Sequence, residues 1–148
     1  MQNNYVPVFP QTMSKKEAFA LNPLVLSFIG DSVHTLYVRS KLSVNLMQKT
    51  GTLHSLTAKE INAVSQSKAM KIILPILNED ENDIYKRARN SKTNSSAKNA
   101  SINEYHIASG FEAIIGYLYL TGQNERLHYL LERAYLGIQT DQNGYPKE

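Results

Sequence analysis

Apolar side chains recur along this chain at helical spacing, and no stretch alternates apolar and polar residues as a half-buried strand would. Ser14 followed by Glu17 has the spacing of a capping box, so a short helix starts there and ends near Leu21. Asn22-Pro23 restarts the chain, because Asn caps helices well and Pro is tolerated in a first turn, and a second helix is expected from Pro23 to about Leu42. Thr57 with Glu60 makes another capping-box pair, opening a helix that continues through Ile73 until Pro75 limits it. Further helices are expected from Glu79 to Arg89, from Tyr105 to Leu120 with Gly122 near its C-cap, and from Glu125 to Leu136 with Gly137 closing it. The pattern therefore predicts one all-α domain of six or seven helices over residues 14–138. An extended arm, residues 1–13, precedes it, and a flexible tail, residues 139–148, follows.

Two of these helices contain an acid where an apolar residue would be expected. From Leu24 to Val38 nearly every face is apolar, which reads as a buried helix, yet Asp31 stands in the middle with Gly30 beside it. A glycine there lowers helix propensity by up to about 1 kcal/mol relative to Ala, so something is expected to approach the backbone closely. The segment ASGFEAIIGYLYL repeats the anomaly: Phe111, Ile114, Ile115, Tyr117, Leu118 and Leu120 surround Glu112. The small residues Ala108, Ser109, Gly110, Ala113 and Gly116 would admit a closely packed second helix, with the one bearing Asp31 as a candidate. Two carboxylates from separate helices suit a hard divalent cation such as Mg²⁺, which takes oxygen ligands and leaves positions for water and phosphate. For either acid alone, pairing with an Arg or capping a neighbour is the stronger explanation of the burial.

The segment NSKTNSSAKNASIN, residues 90–103, is nearly devoid of apolar side chains and reads as a loop. Lys86, Arg87, Arg89, Lys92 and Lys98 lie in or beside it, placed either to meet phosphates or to complement the C-terminal end of the preceding helix. Asp31 and His34 are close enough along a helix to share a metal, but His106 and His128 have no ligand-spaced partners, which argues against zinc. The tyrosines sit mostly at helical spacing and are read as core rather than as base-stacking groups.

Composition narrows the class without naming it. The chain has 148 residues, enough for one core, with 42% apolar and 20% charged residues. Sixteen Lys and Arg against 13 Asp and Glu leave a net charge of +3, a mild preference for an anionic partner. Cysteine is absent, which excludes disulfides and thiolate metal sites. No uninterrupted apolar run of about 18 residues suggests a membrane span, and the N-terminal residues lack the order of a signal peptide, so a cytoplasmic location is expected.

FIGDSV at Phe28 to Val33 resembles the F-L-G-D heart of the ribonuclease III signature, and FEAIIGYLYL at Phe111 to Leu120 resembles its V-E-A-L-I-G counterpart. Their order and separation, together with NPLVLSFIGD, YVR and KRARN followed by a K-N pair, are most similar to the compact Mini-ribonuclease III branch. That branch has the catalytic domain without an appended double-stranded RNA-binding domain. The resemblance covers roughly Leu21 to Leu136. It implies a ribonuclease III-like helical domain and a metal-dependent endoribonuclease of double-stranded RNA that matures the large-subunit (23S) ribosomal RNA precursor. It further implies Asp31 and Glu112 as the metal-binding catalytic acids and Mg²⁺ as cofactor, with Mn²⁺ the alternative and no organic cofactor. The expected assembly is a homodimer gripping RNA through Lys86, Arg87, Arg89, Lys92 and Lys98.

The match is incomplete. The full-length family writes its first motif E-R-L-E-F-L-G-D, and the two glutamate positions are here Leu24 and Ser27. The aspartate three residues before the second glutamate is here Ser109. A catalytically silent, ribosomal RNA-binding member of the same fold is therefore the alternative reading, opposed by the cost of keeping two carboxylates in apolar helices.

Overall fold

A computed structural model describes residues 11–91 and 101–135. The N-terminal arm up to residue 10, the loop positions Lys92 and Lys98, the Gly137 cap and the tail from residue 139 lie outside the described residues. Those residues form seven α-helices and one 3₁₀ turn, with no strand among them. The helices are α1 (Lys15–Ala20), α2 (Pro23–Asn45), α3 (Thr50–Ile61), α4 (Ala63–Ile73), α5 (Glu79–Arg89), α6 (Ile102–Leu120) and α7 (Asn124–Ala134), with the 3₁₀ turn at Leu74–Ile76 between α4 and α5. The all-α class and the helix count agree with the sequence pattern.

Several helix starts are set by the expected side chains. The Ser14 hydroxyl accepts from the Glu17 amide at 3.1 Å, and Asn22 accepts from the Leu24 amide at 2.9 Å. Two further capping boxes, Asn78 with Glu81 and Ser101 with Glu104, open α5 and α6. The second starts α6 three residues before the expected Tyr105. Gly122 adopts a φ of 71°, the left-handed conformation suited to ending α6.

The expected start at Thr57 is overturned. Thr57 lies inside α3, and its hydroxyl donates to the Leu53 carbonyl at 2.8 Å instead of capping. The break comes at Asn62, whose side chain accepts from the Ser65 amide at 2.9 Å and opens α4. One long expected helix is thus two.

At the centre is α6, whose residues from Ala108 to Tyr119 are buried with the single exception of the half-buried Glu112. Its most extensive packing is against α2, and α4 and α5 flank it. A Cβ added to Gly30 would lie 1.7 Å from the Glu112 carbonyl oxygen, and one added to Gly116 would lie 2.0 Å from the Leu26 carbonyl oxygen. The two backbones touch directly, which is the close approach that Gly30 and the small residues of α6 signalled.

The reading of α2 as buried on all sides is corrected. Leu26, Gly30, Val33, His34 and Val38 form its buried face, whereas Val25, Phe28 and Leu36 are exposed and Asp31 is exposed with them. Only one flank of α2 is covered by α6, so its apolar residues exceed what one packed face can bury. No helix is long and apolar enough to cross a membrane among the described residues.

Candidate active site

The backbone approach between α2 and α6 decides what stands beside what. Because Gly30 rests on the backbone of Glu112, the next residue of α2, Asp31, is brought against the Glu112 side chain, and the two carboxyl groups share a hydrogen bond. They line an open cleft of about 250 Å³ together with Leu24, Ser27, Phe28, Tyr105 and Ser109. The three positions where the sequence departs from the fuller acidic signature, Leu24, Ser27 and Ser109, therefore lie in this same cleft. Ser27 is not available as a free hydroxyl: it donates to the Ser109 carbonyl at 2.7 Å and so ties α2 to α6.

A carboxylate pair of this kind is unfavourable without a proton or a cation between its members. Burial pushes the Glu112 carboxyl up to about 9, the hydrogen bond and negative charge of Asp31 push it the same way, and a hydrogen bond from the Gln66 amide opposes them. In the absence of a cation Glu112 therefore holds a proton at neutral pH. A bound cation would take that proton's place.

The alternative of a buried acid paired with an Arg is realised elsewhere. Glu81 is fully buried and receives both Nε and an Nη of Arg126 at 2.8 Å, while the same guanidinium donates to the Ile76 carbonyl. Among the described residues no Lys or Arg stands against Asp31 or Glu112 in this way. The ion-pair explanation fits Glu81 and does not fit Glu112.

The donor set suits a hard, oxygen-preferring divalent ion. Mg²⁺ commonly takes one or two carboxylates and fills its remaining positions with water and substrate phosphate, and the cleft is open enough for both. No group of three or more His, Cys, Asp or Glu is gathered for a metal among the described residues, so a closed, fully protein-ligated site is not what this geometry builds. His34 is directed elsewhere: it is fully buried, its Nε2 meets the Tyr135 hydroxyl and its Nδ1 meets the Gln66 amide at 3.1 Å. Burial pulls its pKa down to about 4, which keeps the ring neutral.

Of the expected basic residues, Lys86, Arg87 and Arg89 fall on the last turn of α5, which packs beside α6 through Tyr85 and Gly110. Lys86 is exposed, whereas the Arg87 guanidinium lies over the Phe19 ring at 5.8 Å and that of Arg89 over the Tyr85 ring at 5.2 Å. They also stand at the negative end of the α5 dipole, whose first turn carries Glu79, Asp80 and Glu81. A role toward the helix and a role toward phosphates are compatible here.

The Ribonuclease III domain family matches residues 24–123, more than half of the chain and the whole of the cleft. The chain belongs to the ribonuclease III family. It is similar to Mini-ribonuclease 3 of a Thermoanaerobacter species, at 43% identity over 82% of this chain and 86% of that protein. The corresponding protein of Clostridium tetani is 42% identical over 82% of each chain. Among solved structures, a Fusobacterium nucleatum protein superposes with a TM-score of 0.72 at 30% identity, covering 80% of this chain and 94% of the other. As a ribonuclease III family member of the compact kind, the protein is an endoribonuclease specific for double strands. The silent alternative is accordingly set aside.

The sequence had not marked Gln66 as part of the site. A signal was present: Gln66, Ala69, Met70 and Ile73 are all buried on one face of α4, so a polar amide occupies a position of the apolar stripe. Such an amide needs partners, which the sequence could not supply.

Proposed function

We propose that the protein cleaves double-stranded RNA in a divalent-cation-dependent hydrolysis at Asp31 and Glu112. In this reading it is a cytoplasmic homodimer acting on the double-stranded stem of the large-subunit ribosomal RNA precursor. The carboxyl pair carries the reading: two acids from different helices are hydrogen-bonded to each other in an open cleft, and burial raises the Glu112 carboxyl to about 9. Asp31 and Glu112 hold the ion and fix its place relative to the cleft wall. Once bound, a hard divalent cation supplies a water activated near neutral pH and charge stabilisation at the leaving oxygen. Leu24 and Ser27 occupy the positions of two further carboxylates in the fuller signature, so the site is built on fewer acids. The ribosomal precursor is the substrate implied by resemblance to the compact branch. Support for the homodimer comes from Val25, Phe28 and Leu36, apolar side chains left open on the α2 face beside Asp31.

The direct test is incubation of the purified protein with long double-stranded RNA and with single-stranded RNA of the same sequence. Cleavage of the duplex should require Mg²⁺ or Mn²⁺ and stop on addition of a chelator, and the single strand should survive. Cleavage that persists in chelator would remove the cation from the reading.

Lys86, Arg87 and Arg89, with Lys92 and Lys98 of the loop, are proposed to hold the RNA backbone. Duplex RNA is recognised largely through shape and phosphates, which suits cations on the end of a helix that packs beside α6. Changing Arg87 and Arg89 to Gln removes the charge together with the guanidinium contacts to the Phe19 and Tyr85 rings. Binding of duplex RNA should weaken, and the slope of log affinity against log salt should fall by roughly one for each phosphate that is no longer neutralised. An unaltered slope measured by filter binding would assign these residues to helix stabilisation alone.

A further inference from the structure

Glu112 has three rotatable side-chain bonds and lies at the edge between core and cleft, so something must hold its carboxyl group toward Asp31. A neutral donor stands against it: the Gln66 amide of α4, a residue 3% exposed. That amide is itself held. Its nitrogen donates to His34 Nδ1 at 3.1 Å, and since an amide nitrogen only donates, Nδ1 must be the acceptor. The imidazole proton is then on Nε2, where it donates to the Tyr135 hydroxyl. His34 is locked further by the Phe111 ring, edge-on at 5.2 Å, and by the Tyr135 ring, stacked at 5.7 Å.

We propose that Gln66 is a positioning residue for Glu112: its amide, fixed by the His34–Tyr135 pair, aims the Glu112 carboxylate at Asp31 and the cation site. The hydrogen-bonded chain links Tyr135 after α7, His34 of α2, Gln66 of α4 and Glu112 of α6, with Gln66 donating toward both His34 and Glu112, so four parts of the fold converge on one carboxylate. One amide proton of Gln66 satisfies His34 and the other orients Glu112, leaving the remaining carboxylate lone pairs for a cation. Partners that orient ligating groups in this way typically contribute about 10–100-fold to metal affinity or activity. The inference rests on the reading of Asp31 and Glu112 as the cation-binding acids.

The test compares the full-length Gln66→Leu, Tyr135→Phe and Asp31→Asn variants with the parent protein. Mn²⁺ binding without RNA is followed by electron paramagnetic resonance, duplex cleavage is measured across a Mg²⁺ series, and circular dichroism checks the fold. Gln66→Leu should weaken Mn²⁺ binding and raise the half-saturating Mg²⁺ concentration by about 10-fold or more, with cleavage recovering as Mg²⁺ is increased and RNA affinity unchanged. Tyr135→Phe should shift both quantities the same way by less, because the His34 ring remains. A folded Gln66→Leu variant with parental Mn²⁺ affinity and Mg²⁺ dependence overturns the proposal. Should that variant fail to fold, an unshifted Tyr135→Phe overturns it instead. Parental cleavage by Asp31→Asn locates the failure in the underlying site reading rather than in Gln66.

Discussion

Asp31→Asn should reduce cleavage of long duplex RNA by roughly 10³-fold or more while leaving the affinity for that RNA nearly unchanged. The change is close to isosteric and falls on an exposed residue, so the fold is not at risk. What disappears is one of the two anionic ligands. A cation contributes several kcal/mol of charge stabilisation in such reactions, and about 1.4 kcal/mol corresponds to each tenfold in rate. Glu112→Gln should be as inactive, and it carries a second signature. In the cation-free protein Glu112 has a pKa of about 9 against an ordinary value of 4.5, raised chiefly by burial. A raised carboxyl contributes stability that is fully present below the ordinary value and is lost as pH rises through about 9. Chelator-treated parent protein should therefore melt at progressively lower temperature over that interval, and Glu112→Gln should flatten the decline. Undiminished cleavage in either variant, read on a gel, would sink the assignment of these acids.

Gly30→Ala should be the most destabilising small substitution in the molecule. In an isolated helix the change would help, by up to about 1 kcal/mol. Here the new methyl would sit 1.7 Å from the Glu112 carbonyl oxygen and 3.0 Å from the Gly116 nitrogen, both backbone atoms of a buried helix that cannot swing away as a side chain can. Overpacking of cores commonly costs about 1–3 kcal/mol, and a clash of two backbones belongs at the upper end or beyond it. With a few degrees of melting temperature for each kcal/mol in a chain of this size, a fall of roughly 10 °C is expected. Gly116→Ala meets the Leu26 carbonyl at 2.0 Å and should behave alike. Cleavage should fall in any folded fraction, since parting α2 from α6 parts Asp31 from Glu112. A melting temperature equal to or above the parent's would show that propensity governs these positions and that the helices have slack.

The helices were legible wherever a local rule acts locally. Ser14, Asn22 and Gly122 terminate elements by bonds and backbone angles within a few residues, and a sequence displays those directly. Thr57 misled because its hydroxyl has two outlets, a cap or the carbonyl four residues back, and spacing to Glu60 does not choose between them. Asp31 misled about burial for a related reason. A segment apolar on every side reads as enclosed, yet α6, α3 and α5 cover only part of the circumference of α2, and Asp31 lies on the open side with Phe28.

From the sequence alone came the all-α class, the two anomalous acids, the glycine beside the first, the small residues around the second, and the motifs that place the chain in its family. Each is a property of residue type and short-range order. Tertiary structure alone decided that Gly30 meets the backbone of Glu112 and so sets the carboxyl groups together, that Glu81 rather than Glu112 takes the Arg, and that Gln66 stands between His34 and Glu112. Those are pairings between helices remote in sequence. Which helices meet is determined by the packing of the whole core, and no periodicity along one segment records which other segment will cover it.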